Sequence, residues 1–181
     1  EKLDQYWWKP WSNHFLGEVY FETGQYQKAR DHYYRAVSLF DHYGNWPSAI
    51  ITGKVGLVRA QILNNEKDFN LETLYGYISA VKAKVYEGLI RRYIGEILLN
   101  IDEERIPEAE AWINEAITAD NENGMLFELG RDYLVYSEIL RRKGEESQAQ
   151  ESLHRATEVF KKCDADGWVE KYERKGTRSW L

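Results

Sequence analysis

Apolar residues recur along most of this chain at spacings of three and four residues, which is the period of an amphipathic α-helix. Tyr33, Ala36 and Phe40 show this spacing in a segment that lies between Gly24 and Gly44. A sustained alternation of apolar and polar residues, which would indicate a β-strand, does not occur in the sequence. The pattern therefore predicts an all-α protein.

Breaks in the pattern divide the chain into eight helices and a short ninth helix. Proline is favoured in the first turn of a helix, because its missing N–H needs no partner there. We therefore expect Pro10 to open the first helix and Pro107 to open the sixth. Ser48 is expected to cap the third helix through its hydroxyl group. The turn between the fourth and fifth helices is expected within residues 82–88, where no strong breaker fixes its position.

A motif of small and large residues recurs through these helices. The small residues allow two helices to approach closely, and the larger ones fill the space beside them. The clearest copy is Leu16-Gly17-x-x-Tyr20 followed by Ala29-x-x-x-Tyr33-x-x-Ala36. Small residues mark the first helix of each copy at intervals of 39, 39 and 42 residues: Gly17, Gly56, Gly95 and Ser137. Alanines mark the second helices: Ala36, Ala80, Ala116 and Ala156.

This motif resembles the tetratricopeptide (TPR) repeat, a helix–turn–helix unit of about 34 residues. The interval between copies is longer here, so the units are TPR-like with longer helices or loops. The resemblance implies an α–α superhelix of about four repeats with a C-terminal capping helix, in a single domain that covers residues 1–181. The repeats are expected at residues 10–43, 47–83, 85–121 and 125–163, and the cap at residues 167–176.

Three longer segments extend the likeness beyond the repeat motif: Phe15-Leu16-Gly17-Glu18-Val19-Tyr20, Glu108-Ala109-Glu110-Ala111 and Gly167-Trp168-Val169-Glu170-Lys171. They are similar to segments in the C-terminal helical arrays of bacterial multidomain signalling proteins, which also carry ATPase, nucleotide cyclase or protein kinase domains. The likeness implies a non-catalytic scaffold that binds a protein or a peptide.

Composition narrows the class of partner. The formal net charge of −6, from 30 acidic and 24 basic residues, provides no basic surface for a nucleic acid backbone. The sequence has no long apolar run and no visible signal peptide, and Cys163 is its one cysteine, so we expect a cytoplasmic protein without a membrane partner. Because the chain begins at Glu1 without an initiator Met, we expect a piece of a longer protein.

The residue types of common catalytic and metal sites do not occur at the required spacings. The four histidines, His14, His32, His42 and His154, lack the partner spacing of a zinc site. Neither a phosphate-binding Gly-Lys-Ser/Thr loop nor a Gly-x-Ser-x-Gly nucleophile motif is present. We therefore expect no enzymatic activity, no cofactor and no metal in this chain.

The resemblance also implies a binding surface. TPR domains bind ligands in a concave groove, lined by first-helix positions three before, one after and four after the small residue. Arg92 and Arg141 occupy such positions, and we expect both to be exposed charges whose reversal weakens partner binding without changing stability. The complete set is His14, Glu18, Phe21, Gly53, Leu57, Ala60, Arg92, Glu96, Leu99, Leu134, Glu138 and Arg141.

The opening repeat argues against one known TPR ligand. TPR domains that bind chaperone tails hold two carboxylates with Lys and Asn at the first two groove positions. His14 and Glu18 stand at these positions here, so a chaperone tail is not the expected ligand.

Aromatic residues keep two other functions open. Trp7, Trp8 and Trp11 lie close together near the start of the chain, and Trp180 lies near its end. The N-terminal group either packs against the first repeat or forms an apolar patch for neighbouring catalytic domains, which would make the chain an intramolecular regulatory array. A closed cavity lined by Tyr and Trp would instead indicate a sensor for a small molecule.

Overall fold

The computed structural model describes residues 4–44, 46–66 and 69–175, and this part of the chain contains helices and no strand. The all-α class predicted from the sequence is therefore confirmed. The helices are α1 (Asp4–Glu22), α2 (Tyr26–Tyr43), α3 (Pro47–Leu63), α4 (Leu71–Ala80), α5 (Glu87–Ile101), α6 (Ile106–Glu122), α7 (Leu126–Arg142), α8 (Glu146–Lys162) and α9 (Asp166–Lys175).

These helices form two compact units, unit 1 (Glu1–Tyr86) and unit 2 (Glu87–Leu181). In unit 1, α1 and α2 form a helix hairpin, α3 packs on α2, and α4 packs on α3. In unit 2, α5 pairs with α6 and α7 pairs with α8, while α6 also packs on α7 and α9 packs on α8. Packing between consecutive helices is typical of helical repeats. The assignment of both units to one domain stays a prediction.

Glycines with a left-handed backbone end several of the helices. Gly24 follows α1 with φ of 73°, and Gly144 follows α7 with φ of 79°. Residues with a Cβ atom rarely adopt these angles, so glycine is favoured where the chain turns from one helix into the next. Both turns lie at the positions that the sequence predicts.

The start of α1 differs from the prediction. This helix begins at Asp4 and contains Pro10 in its interior instead of beginning there. The φ angle of proline suits a helix, so the cost is one missing backbone hydrogen bond together with crowding of the preceding turn. Contacts made just after Pro10 favour the helix: the ring centre of Trp11 lies 4.9 Å from that of Phe40 and 6.0 Å from that of Trp46. Pro107, in contrast, lies in the first turn of α6 as predicted.

Ser48 does not cap α3, because that helix begins one residue earlier, at Pro47. The hydroxyl oxygen of Ser48 accepts hydrogen bonds from the backbone N–H groups of Lys82 and Ala83, each at 3.4 Å. These bonds hold the chain just after α4 against the start of α3. A short 3₁₀ segment, Lys84–Tyr86, then leads to the end of unit 1.

Most small residues of the repeat motif lie at close helix contacts, as predicted, but Ala80 is exposed at the end of α4, so the expectation for this alanine is wrong. The ring of Tyr33 lies between Gly17 of α1 and Gly56 of α3, and a Cβ atom on either glycine would come within 2.9 Å of the ring. In unit 2, a Cβ atom on Gly95 would lie 2.6 Å from the Cδ1 atom of Ile113. Side chains at these glycines would overpack the contact, which typically costs about 1–3 kcal/mol.

Candidate functional site

A buried arginine joins the two first helices of unit 1. Arg59 of α3 is 1% exposed, and its Nη2 atom lies 3.0 Å from Oε1 of Glu18 on α1 and 3.0 Å from the Tyr33 hydroxyl oxygen. The Tyr33 hydroxyl donates a further hydrogen bond to Glu18. The guanidinium group lies 3.6 Å from the ring centre of Phe21. We call these four residues the Arg59 cluster.

The Arg59 cluster holds Glu18 in a fixed orientation. Two donors converge on this carboxylate, and bonds to a charged acceptor are about twice as strong as those between neutral groups. The Glu18 side chain nevertheless remains 16% exposed. Unit 1 therefore presents a positioned carboxylate beside the apolar ring of Phe21, and both belong to the predicted groove.

A second buried arginine joins the two first helices of unit 2. Arg92 of α5 is fully buried, and its Nη1 atom donates to Oδ1 of Asp132 on α7 at 3.0 Å. Its Nη2 atom donates to Oε2 of Glu128 at 2.6 Å, and its Nε atom lies 3.6 Å from Oε1 of Glu96. Arg92 thus links α5 to α7 through a group of carboxylates.

Two further charged residues complete this group. Arg131 of α7 lies 3.6 Å from Glu128, and Asp120 of α6 is fully buried. The carboxyl groups of Asp120 and Asp132 lie within hydrogen-bonding reach of each other. We call the six residues the Arg92 cluster: Arg92, Glu96, Asp120, Glu128, Arg131 and Asp132.

Burial and neighbouring charges shift the pKa values in the Arg92 cluster. Burial opposes the positive charge of Arg92, but Glu128, Asp132 and Glu96 outweigh it and raise the arginine pKa. Burial raises the pKa of Asp120 to about 6, although Arg92 partly opposes this change. Burial also raises the pKa of Asp132 well above its ordinary value. The two aspartates thus hold protons more tightly than ordinary carboxyl groups.

Three residues of the predicted groove are buried. Arg92 lies inside the Arg92 cluster, Leu99 is covered at the end of α5, and His14 packs between rings of unit 1, with its ring centre 5.7 Å from that of Tyr33. The expectation that Arg92 is an exposed charge is therefore wrong. Its partner Asp132 lies on α7, which is the first helix of the following repeat. The groove rule considers one helix face alone and does not include a partner on another helix.

Gly53 and Ala60 of the predicted set are also buried. A Cβ atom on Gly53 would lie 2.8 Å from Val37 of α2, and Ala60 packs in a core cluster with Ala29 and Tyr33. The groove positions that stay partly exposed are Glu18, Phe21, Leu57, Glu96, Leu134, Glu138 and Arg141. Their role in binding remains a prediction.

The sequence interpretation missed Arg59, Asp120 and Asp132. A signal existed for Asp120, because Ala109, Ile113 and Ala116 precede it at helical spacing on the buried face of α6. An acidic residue that continues an apolar stripe is a candidate for a buried charge, and buried charges need partners.

An exposed apolar stripe, here called the α1 face, runs along the first helix. It consists of Trp8, Phe15, Leu16 and Val19, and the exposed fractions of Trp8, Phe15 and Val19 are 71%, 59% and 56%. Trp11 does not belong to it, because its ring packs against Phe40 and Trp46.

Two members of the predicted aromatic group cannot be placed on this stripe. The side chain of Trp7 and all of Trp180 lie outside the described residues. The prediction of an apolar patch therefore applies to Trp8 and to the later residues of α1.

The described surface of unit 2 includes two cavities. One of about 170 Å³ between α7 and α8 is lined by Tyr133, Tyr136 and polar side chains. The other, of about 370 Å³ between α5 and α6, is lined by Glu87, Arg91, Glu115 and neighbouring residues, with no Tyr or Trp among them. Neither is a cavity lined by both Tyr and Trp, which the small-molecule sensor hypothesis requires.

The described residues contain no cluster of three or more His, Cys, Asp or Glu side chains that could hold a metal ion. Among the helices formed by these residues, none is long and apolar enough to cross a membrane.

Residues 12–42 match the family model of the tetratricopeptide repeat. This match covers the hairpin of α1 and α2, where the repeat motif is clearest. None of the curated proteins matches the chain. Together with the helical packing in both units, the family match over residues 12–42 supports a TPR-like repeat domain. TPR repeats generally mediate protein–protein interactions, so the chain has the features of an interaction scaffold.

Proposed function

We propose that this chain is a non-catalytic scaffold that binds protein or peptide segments on the first helices within a unit. The observation that carries the proposal is the position of the two buried arginines. Arg59 and Arg92 each join two first helices; Arg59 donates to partly exposed Glu18 at 3.0 Å, and Arg92 lies 3.6 Å from partly exposed Glu96. A surface whose polar groups are already oriented loses less conformational entropy when a ligand binds.

The partly exposed groove residues suggest the chemistry of the ligand. In unit 1, Phe21 and Leu57 pack against the core cluster that contains Tyr33, and the Tyr33 hydroxyl donates to the Glu18 carboxylate. In unit 2, Glu138 and Arg141 lie on α7 and pair with each other at 2.9 Å. Such a surface suits a peptide of mixed character, with apolar side chains and charges of both signs. We place the scaffold in the cytoplasm of a bacterium, within a signalling protein, on the basis of the resemblance in sequence.

The proposal is tested with peptides selected from a displayed random library on the full chain. Arg141→Glu reverses a charge of the predicted groove. It is expected to weaken the binding of the selected peptides by about 1 kcal/mol or more, because complementary charges become repulsive. Lys162→Glu, an exposed lysine of α8, makes the same charge change away from the first helices and serves as the matched control. Dissociation constants from fluorescence anisotropy provide the comparison.

Equal affinity of the Arg141→Glu and Lys162→Glu variants for every selected peptide would argue against the groove of unit 2. Circular dichroism of both variants checks that they remain folded. Arg141 forms a partly exposed ion pair with Glu138, and such pairs contribute little to stability. Reversing the charge of Arg141 is therefore expected to leave the fold intact.

The α1 face supports a second candidate function, an intramolecular array that docks on neighbouring domains. Its exposed apolar side chains follow one side of α1, and exposed apolar stripes often mark interaction sites. The double variant Phe15→Asp, Val19→Asp places two charges on this stripe. If peptide binding survives this variant but regulation of the neighbouring domains is lost in the complete protein, the array function takes precedence over the peptide scaffold.

A further inference from the structure

Among the described residues of unit 2, three of the four carboxyl oxygens of Asp120 and Asp132 lack a hydrogen-bond donor. Both side chains are fully buried. Arg92 donates to Oδ1 of Asp132, but within the described part of the chain Oδ2 of Asp132 and both oxygens of Asp120 receive no hydrogen bond. A buried acceptor without a donor destabilises the folded state, and the cost is larger when the acceptor is charged. Three such atoms on two neighbouring residues therefore require a physical explanation.

The surroundings of Asp120 leave little space for a compensating ion. The backbone of α5 approaches this residue at Gly88, where a Cβ atom would collide with the Asp120 carboxyl group. The nearby cation Arg92 already contacts three carboxylates, and Arg91 pairs with Glu115 at 3.3 Å. If all its members were ionised, the Arg92 cluster would hold four negative and two positive charges.

A single proton would supply a missing hydrogen-bond donor and would also reduce the excess of buried negative charge. Two carboxylates can only accept hydrogen bonds, but a protonated carboxyl group donates one. A proton between the two residues would supply a donor to Oδ2 of Asp132 and would remove one buried negative charge. We propose that Asp120 and Asp132 share one proton in the folded protein in mildly acidic solution, and that its loss weakens the packing of α6 against α5 and α7.

The charged groups around the pair set the direction of its pH dependence. Arg91 and Arg92 face it from α5, Glu128 faces it from α7, and Arg131 and Glu96 act on it through Arg92. The arginines favour loss of the proton, whereas burial and Glu128 favour its retention. Burial is the largest effect, and it raises the pKa of Asp120 to about 6.

A carboxyl group with a raised pKa binds its proton in the folded state at pH values where the unfolded chain has lost it. The resulting stabilisation is complete below about pH 4, near the ordinary aspartate pKa, and decreases as the pH rises through the folded value. A salt-bridged carboxylate behaves in the opposite way and is destabilised by acid. Unit 2 therefore contains a device that favours its folded state as the pH falls.

A direct test is an NMR titration of the side-chain carboxyl carbons in the full chain, labelled at aspartate, between pH 3 and pH 9. Asp120 and Asp132 are expected to titrate as a coupled pair, with at least one apparent pKa at or above about 6. Exposed Asp41 of α2 provides the internal reference in the same spectra. If both buried residues titrate near or below the reference, the shared proton does not exist.

The Asp120→Asn variant tests the consequence for unit 2. Its amide group can donate to Oδ2 of Asp132 at every pH and cannot ionise. Between pH 4 and pH 6, the folding equilibrium constant of the wild type is expected to decrease by up to about tenfold per pH unit relative to the variant. The measurement is hydrogen exchange of α6 and α7, followed by mass spectrometry and corrected for intrinsic exchange rates.

Asp41→Asn is the matched control, because it makes the same substitution at an exposed position of unit 1. Its exchange profile in α6 and α7 is expected to follow that of the wild type. Parallel pH profiles of the wild type and Asp120→Asn would contradict the proposal. If Asp120→Asn does not fold, the NMR titration of the wild type decides alone.

Discussion

Unit 1 and unit 2 each contain a buried arginine that joins two first helices, but the charges around the two arginines are balanced differently. Arg59 contacts one carboxylate, a tyrosine hydroxyl and an aromatic ring. Arg92 contacts three carboxylates, and a fourth acid, Asp120, lies beside them. The Arg59 cluster is thus nearly neutral, whereas acidic residues outnumber basic residues in the Arg92 cluster.

This difference shows that the arrangement of helices does not determine the electrostatics inside it. The Arg59 cluster pairs one arginine with one carboxylate, so its charges balance without an added proton. The Arg92 cluster depends on its arginine, because the carboxylates around it would otherwise repel one another in a medium of low dielectric constant. The two units therefore provide an internal comparison of a balanced and an unbalanced buried charge group.

The largest expected effect is the loss of Arg92. Arg92→Met keeps a long apolar side chain but removes the positive charge, and it is expected to destabilise unit 2 by about 3–5 kcal/mol, because buried carboxylates lose their counter-charge. Arg59→Met is expected to cost about 1–3 kcal/mol in unit 1, because partly exposed Glu18 can bind water instead. Hydrogen exchange of α1–α3 and α5–α7 measures the two units separately. Equal losses would show that the balance of charge does not matter.

An intermediate effect is expected at the small residues, where the two units should behave alike. Ala36 of α2 and Ala156 of α8 are fully buried at helix contacts. Substitution of either by Leu is expected to destabilise its own unit by about 1–3 kcal/mol through overpacking. Urea denaturation followed by circular dichroism gives the change. An unaffected transition for either variant would show that its alanine does not lie at a tight contact.

The smallest expected effect concerns the Tyr33 hydroxyl. Tyr33→Phe removes one donor to Glu18 and one acceptor from Arg59, while the direct bond between these two residues remains. The expected cost is about 1–2 kcal/mol, confined to unit 1. Thermal unfolding combined with hydrogen exchange of α1–α3 measures it. A loss as large as that of Arg59→Met would show that the hydroxyl, and not the ion pair, holds the Arg59 cluster together.

Much of the fold follows from local sequence signals. The bounds of α8, Glu146–Lys162, agree with the apolar period between Gly144 and Asp164, and the contact of Gly95 with Ile113 follows from the repeat motif. The length of α1 could not be predicted from local signals, because the contacts of Trp11 with Phe40 and Trp46, far along the chain, outweigh the local cost of Pro10.

The candidate site was less predictable than the fold. A rule for one helix face assigned Arg92 to a groove, but its exposure depends on Glu128 and Asp132, which lie 36 and 40 residues away on another helix. Asp120 continues the buried stripe of α6, so its burial could be predicted, whereas its approach to Asp132 could not. Pairings between helices depend on packing that the sequence pattern does not specify.

The contact of Tyr33 with Gly17 and Gly56 has a consequence for the natural variation of this protein. A side chain at position 17 or 56 needs the space that the Tyr33 ring fills, so relatives with a larger residue at either position should carry a smaller one at position 33. The smaller residue would also lack the hydroxyl that Arg59 contacts, which should relax selection on the arginine itself. Substitutions at these four positions, on three helices, are therefore expected to evolve together.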